Sequence, residues 1–201
     1  MGKYPIPAAT VRVETEVSKS KFIATLSMAD SVAAAREFIA SIRAEMPEAS
    51  HHVYAFKVGY GSSINEGVSD DGEPTGTAGP PILAVVRGSV VGDVVLVVTR
   101  YFGGIKLGTG GLVRAYGDAA RAAFAAMTIR EKIEMAQLGL TISYSLYERV
   151  KLIAAAHQAE ITGEEFAGEI TLYLTLPVDN MAAFTVAIRD LSAGKVEPIV
   201  L

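Results

Sequence analysis

The run Val94-Val-Leu-Val-Val98, followed by Thr99-Arg-Tyr-Phe-Gly-Gly-Ile-Lys-Leu-Gly-Thr-Gly-Gly111, is the strongest constraint on this chain. A stretch of β-branched residues without polar alternation reads as a strand buried on both faces. Leu112, Ala115, Ala119, Ala122 and Ala126 then recur at helical spacing, so a helix is expected over residues 112–127. The segment between is a turn in which five of thirteen residues are glycine. Gly103, Gly104, Gly108, Gly110 and Gly111 let backbone N–H groups come close to a ligand, or let the chain fold tightly on itself. Arg100, Lys106 and Arg114 surround the turn with positive charge. Amides, a helix N-terminus and cations together suit an anion, most naturally a phosphate. A nucleotide-hydrolysis loop is not indicated. Gly103 and Gly108 have the Walker spacing, but Thr109-Gly110 follows where Lys-Ser/Thr is required.

Charge restricts where a polyanion can bind. The net charge is −4, with 13 Lys/Arg and 12 Asp/Glu in residues 1–130 against 5 and 10 in residues 131–201. Any phosphate contact therefore falls to a local patch in the first part, and the acidic second part suits a protein partner. Half of the residues are hydrophobic and 20% are charged, which supports a packed core rather than a disordered chain. There is no cysteine, so neither a disulfide nor a thiolate site is available. No apolar run approaches the roughly 20 residues of a membrane span, and Met1-Gly-Lys-Tyr-Pro5 has no secretory character. A cytoplasmic location without membrane contact is expected.

Patterning gives the elements. Val11, Val13 and Val17 alternate with charged residues, and residues 22–28 read as a second strand of a hairpin. Asp30 is a candidate N-cap for a helix to Met46, stopped by Pro47. Residues 53–58 form a third strand, led by His51-His52. Residues 59–81 read as one long irregular loop, and Pro81 starts a short helix. A domain boundary is expected near residues 128–134, giving domains 1–130 and 131–201. The second part reads β-α-β-β-α-β, with a capping box at Ser145–Glu148, a helix capped by Asp179 or Asn180, and a final strand over 195–200. That order is the ferredoxin-like one.

His51, His52, Asp70, Asp71 and Glu73 form one cluster with catalytic or metal potential. Adjacent strand residues point to opposite faces, so His51 and His52 do not share a metal. Asp70-Asp71-Gly-Glu73 has the oxygen donors for Mg²⁺ and equally the chemistry of an ordered turn. The turn or partner-binding reading is preferred, with no catalytic residue, metal or cofactor assigned. Tyr101 and Phe102 offer faces for base stacking or side chains for the core.

Four segments together resemble the YigZ/IMPACT family: Ser20-Lys-Phe-Ile23, His51-His-Val-Tyr54, Ser69-Asp-Asp-Gly-Glu-Pro74 with Gly76-Thr-Ala-Gly79, and Thr99–Gly104 continuing to Tyr116. Pro80 stands where the family pattern has a lysine or arginine. The resemblance implies an α+β protein. Its N-terminal domain should be a sandwich like the second domain of a small-subunit ribosomal protein, with a left-handed β-α-β crossover. Its C-terminal domain should be ferredoxin-like and resemble the fifth domain of elongation factor G. Both relatives meet RNA on the ribosome. Eukaryotic members act in translational control through a domain outside the resemblance, so their partner is not implied here. The expected function is a non-enzymatic, translation-regulation role, binding RNA or a ribosomal complex through Arg100, Lys106, Arg114 and the glycines. His51, His52, Asp70, Asp71, Glu73 and Tyr101 would order the neighbouring loop or meet a partner. The alternatives are a metal-assisted phosphotransfer or hydrolysis enzyme using the acidic loop and histidines, and a pure protein-binding module.

Overall fold

The computed structural model describes residues 2–201. In chain order these form β1 (Lys3–Pro7), β2 (Val11–Val17), β3 (Ser20–Met28), α1 (Val32–Glu45), β4 (His51–Tyr60), β5 (Ser63–Ser69), α2 (Gly79–Gly88), β6 (Val94–Tyr101) and α3 (Gly108–Ala126). There follow β7 (Ile129–Ile133), β8 (Met135–Ile142), α4 (Tyr147–Ala156), β9 (Glu160–Phe166), β10 (Ile170–Pro177), α5 (Val178–Leu191) and β11 (Ile199–Val200). The chain divides into two compact units, Tyr4–Glu131, and Lys132–Leu201 with residues 2–3. Each combines antiparallel strands with helices, so the protein is α+β. No described helix is long and apolar enough to cross a membrane.

In the first unit a five-stranded sheet runs in the order β2-β3-β6-β4-β5. The valine-rich run is its centre, antiparallel to β3 and β4. Its double burial comes from helices on both faces. Val94, Leu96 and Val98 pack with Phe22, Val53, α2 and α3. Val95 and Val97 pack with Phe56, Ile39 and Ile42 on the α1 side. Strand β1 pairs with β7 in a separate two-stranded ladder.

Several local expectations shift. Ser31, not Asp30, caps α1, its Oγ accepting from the Ala34 amide at 3.1 Å. The loop expected over 59–81 contains a strand. Gly59 and Gly61, at φ +93° and +67°, turn the chain so that β5 returns along β4. The buried face of α3 is Leu112, Ala115, Tyr116, Ala119, Ala120 and Ala123, because the helix starts at Gly108 and packs on both the sheet and α2; Ala126 is exposed.

The second unit has the order β8-α4-β9-β10-α5-β11, and its antiparallel sheet runs β11-β8-β10-β9. One face carries Leu138, Leu140, Ile142, Ile170, Leu172 and Leu174, packed on Val150, Ala154, Phe184 and Ile188. The capping box at Ser145 does not form. A 3₁₀ turn at Tyr144–Leu146 leads into α4, and Ser145 Oγ bonds Ser143 Oγ at 2.9 Å. Neither Asp179 nor Asn180 is a cap, since α5 begins at Val178. Asp179 Oδ1 accepts from the Gly2 amide at 2.9 Å, and Asn180 Nδ2 donates to the His157 carbonyl at 2.8 Å. The final strand shrinks to Ile199–Val200 because residues 192–195 turn.

Candidate functional site

Strand register assembles the site. Arg100 on β6 lies opposite Phe22 on β3 and opposite His51 on β4. These three form one row across the sheet, on the face that α3 covers. Arg100 is two residues beyond Val98 and shares its direction. The side chain is 6% exposed, with its guanidinium carbon 5.4 Å from the ring centres of both Phe22 and Phe102.

The charge is met from the loop between β5 and α2. Glu73 Oε1 accepts from Arg100 Nη1 at 2.6 Å and from the Tyr116 hydroxyl of α3 at 2.7 Å. Arg100 Nη2 donates to Ser20 Oγ at 3.3 Å, while its Nε is buried without a hydrogen-bond partner among the described residues. Burial, and then the bond to Glu73, push the Tyr116 hydroxyl far above the ordinary tyrosine range, so it remains a donor. Arg100 is therefore a buried, ion-paired residue and not a surface cation. Its expected part in phosphate binding is not that of an exposed cation.

Loop 69–79 is fixed by its two aspartates. Asp70 accepts from the amides of Gly76, Ala78 and Gly79 at 2.8, 3.0 and 2.8 Å, tying the loop to the start of α2. Burial acts to raise its pKa, but the three amides outweigh burial and hold it below the ordinary carboxylate value. Pro80 sits in the first turn of α2, where a missing N–H costs nothing. Asp71, at φ +45°, accepts from the His52 amide at 2.6 Å and from Arg43 at 2.8 Å. Its carbonyl lies 2.8 Å from His51 Nδ1. A carbonyl only accepts, so that nitrogen carries the proton and Nε2 faces Glu73 at 3.8 Å. His52 points the other way and meets Thr99 Oγ1 at 3.1 Å; burial, then the charge of Arg43, lower its pKa.

The acidic loop, the histidines and the end of β6 thus converge. Both oxygens of Asp70 and Asp71 are committed to amides and Arg43, and Glu73 Oε1 to Arg100 and Tyr116. Among the described residues no group of three or more His, Asp or Glu side chains is arranged to hold a metal ion. Tyr101 packs with the α1-side core.

The glycine-rich turn combines close packing with an open mouth. A Cβ on Gly103 would lie 2.0 Å from the backbone carbonyl of Lys19, so this glycine serves the chain's own fold. Gly104 and Gly108 adopt φ +84° and +69°, while Gly110 has open space beside it. Among the described residues no side chain caps α3. Lys106 precedes its first turn and Arg114 lies in its second, and neither makes an ion pair among the described residues. A cleft of about 350 Å³ opens there between Glu73, Arg100, Phe102, Lys106, Gly108 and Thr109. Arg114 faces a second groove, between α2 and α3.

Sequence reading missed Tyr116 and Ser20 as site residues. Their signals were present: Tyr116 stands four residues after Leu112 on the buried stripe, and Ser20 follows a tight turn at Ser18 and Lys19, both at positive φ.

The family model described as the Impact N-terminal domain matches residues 18–124, and one described as a domain of unknown function (DUF1949) matches residues 140–195. IMPACT family member YigZ of Escherichia coli is 39% identical over 198 residues, covering 98% of this chain and 97% of its own. The chain belongs to the IMPACT family. A family member from Haemophilus influenzae is 38% identical over 97% of this chain and 95% of its own. A solved structure described as that of a hypothetical protein, 39% identical, superposes with a TM-score of 0.80 over 100% of this chain and 98% of its own. Every residue of the site, from Ser20 to Tyr116, falls within the span matched by the family's N-terminal domain.

Proposed function

We propose that this IMPACT family member is a cytoplasmic, non-enzymatic protein of the translation-regulation type that binds RNA or a ribosomal complex. Phosphates would lie on the first turn of α3. The observation that carries this reading is the uncapped start of the nineteen-residue α3, with Lys106 just before it and Arg114 in its second turn beside the neighbouring groove, neither paired to a carboxylate among the described residues. The helix dipole places about half a positive charge there. The fold kinship expected for the two units, with the second domain of a ribosomal protein and the fifth domain of elongation factor G, supports the same setting. The acidic second unit would meet protein rather than RNA.

The test is RNA and ribosome binding across a salt series. Two phosphate contacts, from Lys106 and Arg114, give a log–log slope of about −1.4 on single strands and about −1.8 on duplex. Lys106→Ala/Arg114→Ala should abolish most of that slope. Binding that ignores both salt and the substitutions would refute an RNA contact at this turn.

A further inference from the structure

The cleft beside α3 has two poles. Its lining joins Lys106 and the α3 start at Gly108 and Thr109 to the carboxylate of Glu73. The Glu73 side chain is 4% exposed, yet only one of its oxygens is used. Oε1 takes both Arg100 and Tyr116, while Oε2 has no protein donor among the described residues. The partnering cation is also incomplete, because Arg100 Nε is buried without an acceptor. Arg100 Nε is out of reach of a ligand in the cleft, whereas Glu73, which lines it, keeps Oε2 free as an acceptor. Phe102, half exposed, lines the same cleft with the Arg100 guanidinium against its ring.

A simple anion would use Lys106 and the helix start and be repelled by Glu73. A simple cation would do the reverse. A nucleotide supplies all three complements: a phosphate for the helix start, a flat π face for Phe102 and an N–H edge for a carboxylate oxygen. A volume of about 350 Å³ suits one nucleotide and excludes a base pair. We propose that this cleft takes one unstacked nucleotide of a single-stranded RNA, with its base on Phe102, a base N–H donated to Glu73 Oε2 and a phosphate at the start of α3 beside Lys106. This rests on the RNA reading above and adds to it that the RNA must be unpaired at the bound position.

The experiment measures anisotropy of a labelled single-stranded RNA and of its duplex, across a salt series, with the full chain and with Phe102→Ala, Phe102→Trp and Lys106→Ala. Phe102 is a surface residue, so its removal spares the core. The expected result is single strand bound at least tenfold more tightly than duplex. Phe102→Ala should lose about 5- to 100-fold on the single strand, keep the salt slope, and approach duplex affinity. Phe102→Trp should retain single-strand binding, and Lys106→Ala should lower the slope instead. Salt-dependent binding that treats single strand and duplex alike, or that Phe102→Ala leaves unchanged, would overturn the nucleotide cleft and leave the phosphate reading standing. No salt-dependent binding to either RNA would overturn both.

Discussion

Replacing Glu73 by Gln isolates the energetics of the buried ion pair. The side chains of Arg100 and Glu73 are 6% and 4% exposed and meet at 2.6 Å. The substitution keeps the shape but strands a buried guanidinium whose Nε already lacks a partner. Breaking a buried pair from one side costs about 3–5 kcal/mol, a large share of the roughly 5–15 kcal/mol that holds a typical domain. At an m-value near 2 kcal/mol/M the urea midpoint should fall by about 2 M. The chain has no tryptophan, so far-UV circular dichroism is the suitable probe. The decisive comparison is Glu73→Gln/Arg100→Met. With the stranded charge removed, the double variant should be more stable than the sum of the single losses by about 1.5–3 kcal/mol. Additivity within about 0.5 kcal/mol would show that the two charges do not depend on each other, and the account of the site's centre would fail.

Gly103→Ala should destabilise the first unit by about 1–3 kcal/mol, read in the same urea titration, because its Cβ would overlap the Lys19 carbonyl at 2.0 Å. A wild-type midpoint would show that the two turns do not press together. His52 should make stability pH-dependent. Its folded pKa lies below the unfolded value near 6.5, so as pH falls the unfolded chain takes up the proton first. Stability should therefore decline from about pH 6.5 downward until the folded ring itself protonates. His52→Asn should flatten that decline between pH 7.5 and 5.5, and an unchanged profile would refute the assignment.

The central strand was legible because burial on two faces leaves no place for a polar residue between Val94 and Val98. The same uniformity hid the direction of Arg100, which follows only from counting two residues past Val98. Strand β5 escaped notice because Ser63–Ser69 is a polar edge strand, held by pairing with β4 and by the Phe56 ring over Gly67. No local pattern encodes that contact. His51 and His52 separated to opposite faces as strand alternation requires. Proximity of Glu73 to Arg100 spans 27 residues and could not be read from composition, because only the fold of loop 69–79 around Asp70 brings it there.

The strand order β2-β3-β6-β4-β5 has a consequence for how the chain is made. The middle strand is the last of the five to be synthesised. Strands β3 and β4 leave the ribosome with their inner edges bare, and they stay so until Tyr101 follows Tyr60 out of the exit tunnel. At about 5–20 residues per second that delay is about 2–8 s. Through that interval the nascent chain exposes two unpaired strand edges that a neighbouring chain could occupy. The valine-rich strand thus closes the sheet against intermolecular pairing as well as filling its core.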